Sequence, residues 1–499
     1  MNRLRILGGT VLTLDASGAV FDPGEVLVED GRIAAVGPRG GLTPHLTMGT
    51  SSVPYEPYEE TIDASGALIL PGLVNAHCHS SDTLVRGTAP MLPLEAWSQF
   101  SDAGRFGRTP REIYLSAMLT AIEALKTGTT TILDHLRLSP GLTLEGLEAA
   151  ARAYIHAGIR AVIAPVLSDL PVAETLPLDM IDLPPAHAAN LRRAPMSRQE
   201  QVDLCQAFIG KWKTRIGVQV GPSAPHRCSD ALLECCGEMA ARHHVRLHMH
   251  FLETAAQAVV ARRRFRDGTA RHLAALGLLP QASLVHCVYA DEDDLDVLAS
   301  SGAMAVHCPV ANLRLGSGTM PWYALATRGA RIALGTDGVL CNDSLSMLTV
   351  MKTVGLLHAE DSHLEPSDIL RAATAYGAAV CGLHDVGAIE AGRRADLSII
   401  ESPPTQDSYT TAVLGLEWQR PVMVIVGGTV VVRDGRLTMV DEGAVAAEAR
   451  DVASALIRRN AARFAEAREM VPFMQRLAAR AKEVEPSTRS GKVRSASSS

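Results

Sequence analysis

Two histidines separated by a single residue are the first feature of this sequence that could carry chemistry. His77 and His79 end the apolar segment PGLVNAHCH, which occupies positions 71–79 and is typical of a buried strand. Side chains at i and i+2 of a strand point to the same face, so the two imidazoles would lie together. Two converging imidazoles suit zinc or a similar divalent ion, although two ordinary histidines would give the same spacing. The pattern indicates a candidate metal site.

A second segment, RLHMHFLE at positions 246–253, adds imidazoles and a carboxylate. His248 and His250 face the same way on a strand, so alternation alone does not choose between them. His250 is nearer the carboxyl end of the strand and is the better ligand, and we expect His248 to pack one layer below. Glu253 emerges at the same end.

Two further apolar runs end in a polar side chain. His286 ends the run LVH at positions 284–286, and Asp337 lies in LGTDG at positions 334–338. A single histidine or aspartate at such a place is usually a structural hydrogen-bonding group. Here several predicted strands each end in a group suited to metal binding or acid–base chemistry. Coincidence is a poor explanation for so many such groups at the same end of their strands.

The elements that must position these groups alternate between strand and helix. Eight apolar, β-branched runs are separated by helical patterns, which predicts an α/β protein with a (β/α)₈ TIM barrel, whose active site lies at the carboxyl ends of the strands. No GxGxxG motif follows any of the runs, which argues against a dinucleotide-binding sheet. The eight runs are 69–78, 129–135, 159–167, 215–221, 245–251, 283–289, 303–309 and 330–336.

Short strands with glycine turns lie on both sides of the predicted barrel. We therefore predict a small flanking β-sandwich domain built from both chain ends, residues 1–70 and 386–441, around a barrel of residues 71–385. Residues 442–484 have helical periodicity, and residues 485–499 are rich in Ser, Arg and Lys, which predicts a C-terminal helix and a disordered tail. The proline-rich loop 171–198 is expected near the mouth of the active site.

Composition excludes several classes of protein. The 499 residues contain 47 Lys and Arg against 54 Asp and Glu, so the net charge of −7 offers no basic footprint for a nucleic acid. No apolar run reaches the ~18 residues of a membrane span. Nine scattered cysteines show no disulfide or zinc-type spacing, which favours a reducing, cytoplasmic location. The expected partner is a small-molecule substrate.

Taken together, these motifs resemble the amidohydrolase superfamily, in particular its branch of metal-dependent deaminases and chlorohydrolases. Cytosine, guanine and adenosyl-type deaminases and the triazine hydrolases share this ordered pattern. The resemblance implies that His77, His79, His250 and Asp337 hold one metal ion, with Glu253 and His286 as the proton-handling and substrate-polarising pair. Members of the branch are often dimers or larger, so a homo-oligomer is expected. The matching segments are 71–79, 83–87, 127–134, 250–253, 286, 307–318, 335–343 and 392–397, within residues 3–435.

The chemistry of these groups agrees with the implied roles. A divalent ion bound by imidazoles and a carboxylate lowers the pKa of its water towards ~7 and so supplies hydroxide at neutral pH. Asp337 can accept the proton of that water, and Glu253, three residues after His250, can pass one to a leaving nitrogen. His286 can hydrogen-bond the attacked centre.

One feature of two-metal relatives is missing. They carry a carboxylated lysine at the end of the fourth strand, where this chain reads RIGVQVGPS at positions 215–223. Lys211 and Lys213 precede that strand and would lie at its other end. The sequence therefore predicts one divalent ion per chain, zinc or alternatively iron.

The substrate pocket is less well defined by the sequence. Relatives often have an aromatic residue where this chain has His226, and His135 stands at a position that varies in type among them. Asp82, Trp97, His135, His226 and His307 are predicted to bind substrate above the metal, although packing or hydrogen-bonding roles are as plausible for Asp82 and His135 singly.

The leading functional hypothesis is the hydrolytic deamination of a nitrogen heterocycle by metal-activated water. Water activation and a tetrahedral intermediate serve equally well for cleaving a urea, carbamate or amide C–N bond, or for expelling halide from a triazine. A catalytically inactive barrel used for binding would show a broken ligand set, whereas this set is complete.

Overall fold

The computed structural model describes residues 3–42, 58–360 and 363–485, and the predicted tail lies outside these ranges except for its first residue. The strands are β1 (Arg3–Leu7), β2 (Thr10–Leu12), β3 (Val20–Phe21), β4 (Gly24–Glu29), β5 (Arg32–Pro38), β6 (Glu60–Asp63), β7 (Ala67–Pro71), β8 (Leu73–Cys78), β9 (Thr129–Asp134), β10 (Arg160–Ile163), β11 (Val166–Leu167), β12 (Gly217–Val218), β13 (Gly221–Pro222), β14 (Leu247–Phe251), β15 (Ala282–His286), β16 (Met304–His307), β17 (Ile332–Leu334), β18 (Leu397–Glu401), β19 (Pro421–Val426), β20 (Thr429–Arg433) and β21 (Arg436–Leu437).

Helices fill most of the intervals between the later strands. The α-helices are α1 (Leu94–Arg105), α2 (Pro110–Lys126), α3 (Leu144–Ala157), α4 (Pro185–Leu191), α5 (Arg198–Trp212), α6 (Asp230–His243), α7 (Ala255–Arg264), α8 (Thr269–Ala275), α9 (Glu292–Ser301), α10 (Pro309–Arg314), α11 (Trp322–Thr327), α12 (Val339–Asn342), α13 (Met347–Leu357), α14 (Pro366–Ala372), α15 (Ala375–Val380), α16 (Ser408–Thr410), α17 (Glu442–Arg459) and α18 (Ala461–Val484). Short 3₁₀ helices cover Ser80–Val85, Val172–Glu174, Leu178–Met180, Pro225–Arg227 and Leu279–Gln281, and a π-helical turn covers Thr411–Gly415.

Strands from the two ends of the chain form common sheets. One sheet has the order β5-β4-β1-β6, and the other has the order β21-β20-β19-β18-β7-β2-β3. In the second sheet Ile69 of β7 lies opposite Ile399 of β18, which joins segments more than three hundred residues apart. Ile6, Val26 and Ile425 belong to one buried apolar cluster, so side chains from both sheets share a core. The limits of a separate β-sandwich domain remain a prediction.

Each of the eight predicted apolar runs contains a parallel strand. The pairings form two four-stranded sheets, β12-β10-β9-β8 and β14-β15-β16-β17. Val220 bridges them, because its amide donates to the carbonyl of Arg246 and its carbonyl accepts from the amide of His248, both at 3.0 Å. On the opposite side, the Asp337 amide donates to the His77 carbonyl at 3.0 Å and so connects the chain after β17 to β8. The carboxyl ends of the strands therefore meet at one place.

Helix boundaries follow local capping signals. Thr109 precedes α2 and forms a capping box with Glu112, and Pro110 takes the first helical position, where its missing N–H costs nothing. Gly158 ends α3 in the left-handed conformation, with φ of 76°. The chain turns at Gly158, and β10 begins two residues later at Arg160.

The C-terminal region differs from the single helix predicted for residues 442–484, because α17 ends at Arg459 and α18 begins at Ala461. Nδ2 of the Asn460 side chain donates to the carbonyls of Ala103 (2.9 Å) and Phe106 (3.0 Å), so a tertiary contact at the end of α1 interrupts the helix. Helix α18 packs against α1 and α7. Within the described residues, no helix combines the length and apolar character that crossing a membrane requires.

Candidate active site

The ends of three strands bring together the residues that the sequence singles out as ligands. His77 and His79 lie at the end of β8, His250 on β14, and Asp337 three residues after β17. The Nε2 atoms of His79 and His250 are 3.2 Å apart. Oδ1 of Asp337 lies 3.4 Å from Nε2 of His79 and 3.6 Å from Nε2 of His77. One imidazole cluster and one carboxylate therefore face a common point.

These separations fit a single metal ion. Bonds of ~2.0–2.1 Å at tetrahedral angles place neighbouring ligand atoms ~3.4 Å apart, close to the three distances above. Nε2 of His77 is buried and has no hydrogen-bond partner among the described residues, as expected of an atom kept for an ion. His77, His79, His250 and Asp337 would hold such an ion, and it would supply an activated water when bound.

Hydrogen bonds behind the imidazoles fix which nitrogen faces the cluster. Nδ1 of His79 donates to the carbonyl of His135, and Nδ1 of His250 donates to the carbonyl of Ser223, both at 2.7 Å. With the proton held on Nδ1, the lone pair of Nε2 points forward, which is the arrangement of metal-binding histidines.

His77 is oriented by a chain of three groups. Its Nδ1 donates to Nε2 of His248 (2.8 Å), Nδ1 of His248 donates to Oγ of Ser283 (2.7 Å), and this hydroxyl donates to the Leu247 carbonyl (3.1 Å). From the sequence we expected His248 only to pack one layer below His250, and its hydrogen bond to His77 was not foreseen. His248 holds the tautomer in which Nε2 of His77 is free to bind metal.

Burial keeps the imidazoles of His79, His248 and His250 neutral. It lowers the pKa of His79 to about 3 and the pKa values of His250 and His248 well below the ordinary value. Neutral imidazole is the form that binds a metal ion.

The backbone is strained where two of the functional side chains leave their strands. His286 has φ of 77° and Asp337 has φ of 62°, values that non-glycine residues rarely adopt. Gly335 is required before Asp337, since a Cβ there would lie 2.9 Å from both Cβ and the carbonyl oxygen of His77. The close approach to β8 brings Asp337 next to the imidazoles.

Glu253 and His286 lie next to each other beside the cluster. Oε2 of Glu253 lies 3.6 Å from Nε2 of His286, which lies 3.9 Å from Oδ2 of Asp337. Burial, and next the Asp337 carboxylate, raise the pKa of Glu253 well above its usual value, so the carboxyl group tends to hold a proton. Burial lowers the pKa of His286 to about 4. Asn312 donates to Nδ1 of His286 (3.1 Å), which leaves Nε2–H to face the site.

The cluster opens into a cavity of about 60 Å³, called here the inner cavity. Trp97 lines it and donates from Nε1 to the Leu340 carbonyl at 2.9 Å. Val166 and Arg137 also line a larger outer cavity of about 370 Å³, whose walls come from residues 166–201 and from α18. The proline-rich loop therefore lies on the outer cavity.

The other four residues predicted to bind substrate do not line the inner cavity. Asp82 accepts from Oγ of Ser101 at 2.9 Å and lies 3.6 Å from Arg105. His135 stacks behind the ligands, with its ring 4.9 Å from that of His250. His226 is buried in the Pro225–Arg227 turn, and the ring of His307 lies 5.5 Å from that of His358.

Three arginines that the sequence analysis did not predict line the inner cavity. Arg105, Arg137 and Arg227 come from the end of α1, the segment after β9 and the 3₁₀ turn after β13. Asp102 pairs with Arg105 at 3.0 Å and with Arg137 at 3.4 Å, whereas Arg227 forms no ion pair with any described residue. The sequence did offer a signal for Arg227. This arginine directly follows His226, which was predicted to bind substrate, and it is Arg227 that reaches the cavity.

Comparison with known proteins identifies the class. Residues 68–431 match the Amidohydrolase family, so the chain belongs to this family of hydrolases, and its action on C–N bonds is confirmed as predicted. Its members share a TIM-barrel fold, which agrees with the parallel strands described above.

Particular relatives are similar over almost the whole chain. A 5-methylthioadenosine/S-adenosylhomocysteine deaminase of Symbiobacterium thermophilum is 34% identical over 92% of this chain and 100% of its own length. A 5'-deoxyadenosine deaminase of Methanosarcina mazei is 29% identical over 90% of this chain and 97% of its own. The solved structure of an adenosine deaminase from Xanthomonas campestris with bound zinc has a TM-score of 0.76 and 26% identity, covering 91% of this chain and 98% of that one.

Proposed function

We propose that the protein is a mononuclear metal-dependent hydrolase that removes the amino group of an adenine-type nucleoside as ammonia. The observation that carries the proposal is the meeting of a four-residue ligand set with the Glu253–His286 pair, whose facing atoms are 3.6 Å apart. The names of the relatives supply the substrate class, and the zinc in the Xanthomonas campestris structure supports a metal of that kind.

Each side chain has a task in this reaction. Asp337 accepts the proton of the attacking water, because its carboxylate reaches both the imidazole cluster and His286. Glu253 protonates the ring nitrogen next to the carbon under attack, and the proton taken up by Asp337 passes to the departing amino group. A C–O bond forms, the C–N bond breaks and ammonia leaves, and the new hydroxyl group returns its proton to Glu253 as the carbonyl forms. Nε2–H of His286 donates to the oxygen that develops at the attacked carbon.

One divalent ion per chain, zinc or alternatively iron, accounts for the ligand set. The fourth predicted strand ends at Gly221 and is followed by Pro222 and Ser223. None of these residues offers a lysine amine for a bridging carbamate. A homo-oligomer remains part of the proposal by analogy with the family.

Ammonia release tests the proposed reaction. Purified metal-loaded protein is incubated separately with adenosine, 5'-deoxyadenosine, 5-methylthioadenosine, S-adenosylhomocysteine, a chlorotriazine and a phenylurea. We expect ammonia, and a change of the adenine ultraviolet spectrum, with at least one adenine nucleoside. Chloride release from the triazine or amine release from the urea, with every nucleoside unchanged, would replace deamination by the corresponding alternative.

The arginines of the inner cavity predict that nucleosides carrying an acidic group are preferred as substrates. Arg227 forms no close ion pair with any described residue, since Asp102, Glu253 and Glu95 act on it only at longer range, and it can pair with an acidic group of the substrate. Loss of a hydrogen bond to a charged group costs ~1.5–3 kcal/mol, or about 10–100-fold. We therefore expect Arg227→Gln to lower kcat/KM for S-adenosylhomocysteine, which carries a carboxylate, by about that factor, and to leave 5-methylthioadenosine, which has none, nearly unchanged.

Arg271→Gln is the matched control for that comparison. Arg271 lies on α8, is exposed and pairs at 3.7 Å with Asp293, away from the inner cavity. Its substitution should leave kcat/KM unchanged for both substrates. Equal losses for both substrates in Arg227→Gln would show that this arginine supports the site as a whole and does not select for charge.

A further inference from the structure

A third cavity, of about 90 Å³, lies beside the inner cavity and belongs to no part of the proposed reaction. We call it the arginine cavity, because Arg105, Arg108 and Arg137 line it. Its described lining includes four serines but neither aspartate nor glutamate. Ile113, Leu136, Leu138 and Pro140 form an apolar part of the wall, and the three guanidinium groups and the hydroxyls form a polar part that has the composition of an anion site.

The ion pairs around this cavity leave one arginine, Arg108, without a carboxylate at ion-pair distance among the described residues. Arg105 and Arg137 share Asp102, and Arg105 also approaches Asp82 at 3.6 Å. Arg108 forms no close ion pair with any described residue, and the carboxylates of Asp82 and Glu112 act on it only at longer range. Its Nε donates to the Gly104 carbonyl at 3.0 Å and its Nη1 donates to Oγ of Ser116 at 3.2 Å. Burial lowers the pKa of Arg108 to about 10, so the guanidinium still carries its charge at neutral pH.

Three buried polar atoms of the lining have no partner among the described residues. They are Nε of Arg105, Nη2 of Arg108 and Oγ of Ser81, and the residues Ser81 and Arg105 are each only 5% exposed. Arginine nitrogens donate and never accept. Leaving such donors unsatisfied in a buried position costs ~1–3 kcal/mol each, so an acceptor is strongly favoured here.

We propose that the arginine cavity binds one small monovalent anion of the chloride class, held by Arg105, Arg108 and Ser81. One negative charge matches the one guanidinium without a carboxylate, whereas a phosphate would bring a second charge. The volume of about 90 Å³ suits a compact ion. A water molecule would satisfy a donor but would leave the charge of Arg108 unbalanced.

The site has a consequence for the neighbouring cavity. Arg105 and Arg137 line both the arginine cavity and the inner cavity. An anion that fixes the guanidinium group of Arg105 from behind also fixes part of the wall that faces the substrate. The proposal does not depend on which substrate is deaminated.

Thermal unfolding tests the proposal directly. Full-length metal-loaded protein is transferred to a halide-free gluconate buffer, and Tm is followed as chloride or nitrate replaces gluconate at constant ionic strength. A ligand at about 100 times its Kd should raise the Tm of a chain this long by about 2 °C, in a saturable manner. No rise, a linear rise, or an equal rise when phosphate replaces gluconate would overturn the proposal.

Two variants and a control locate the effect. Arg108→Gln should abolish the saturable rise, and Ser81→Ala should raise the apparent Kd about 3–10-fold through loss of one hydrogen bond. Arg111→Gln is the control, since Arg111 lies on the same segment but pairs with Glu448 at the surface, and it should respond like the unaltered protein. Persistence of the full chloride effect in both Arg108→Gln and Ser81→Ala would place the anion elsewhere, for example at the metal.

Crystals grown with sodium bromide give a readout that does not depend on stability. We expect a bromide anomalous peak within hydrogen-bond distance of Arg105, Arg108 and Ser81. A water peak there at high bromide concentration would contradict the site.

Discussion

The Glu253→Gln protein is expected to retain its metal and to deaminate its substrate ~10²–10⁴-fold more slowly, the usual contribution of a general acid–base group. Oε1 of Glu253 is buried without a hydrogen-bond partner among the described residues, and Oε2 lies 3.6 Å from Nε2 of His286. Glutamine preserves the volume but cannot take up or release a proton. The measurement is kcat for ammonia release, with metal content determined on the same preparation.

Glu234→Gln provides the matched control, because Glu234 is an exposed residue of α6 and should leave kcat unchanged. If a metal-replete Glu253→Gln protein kept the full kcat, another group would be moving the proton. A lower kcat accompanied by loss of metal would instead assign Glu253 to the ligand set.

The second large effect is expected from Asp337→Asn. This change removes the only carboxylate among the four proposed ligands and also removes the group that accepts the proton of the attacking water. We expect weaker metal retention under chelator challenge and a fall in kcat of about 10⁴-fold, the upper range for an acid–base group. Asparagine tolerates the φ of 62° at this position, and its carbonyl oxygen can still accept from the Gly338 amide, so the fold should persist.

Asp343→Asn is a control for the backbone as well as for the charge. Asp343 has φ of 65° on the following segment and pairs at 2.6 Å with Arg314, so the same substitution meets the same conformational demand outside the site. It should keep both metal and kcat. If Asp337→Asn also kept both, neither the ligand role nor the base role of Asp337 would stand.

The ligand cluster could be predicted because its information is local. Strand alternation places His77 and His79 on one face, and parallel strands in a barrel-like arrangement bring their carboxyl ends together. His250, His286 and Asp337 each end or follow an apolar run, so their meeting required no knowledge of loops. The amidohydrolase family match confirms the family inferred from these segments.

The lining of the cavities could not be predicted in the same way. Arg105, Arg137 and Arg227 come from a helix end, a loop and a 3₁₀ turn, and no periodicity relates them. The turn at Pro225–Arg227 buries His226 and directs Arg227 to the cavity, a choice set by tertiary packing. Asn460 interrupts the C-terminal helix for the same kind of reason, through carbonyls of residues more than three hundred positions earlier.

The most direct test of the account is the dependence of ammonia release on metal. Protein stripped of metal is titrated with zinc, and in parallel with ferrous iron under anaerobic conditions, while deamination of the best adenine nucleoside is measured. A mononuclear site formed by His77, His79, His250 and Asp337 predicts no activity without metal and a plateau at one equivalent per chain. A plateau at two equivalents, or full ammonia release from the metal-free protein, would contradict it.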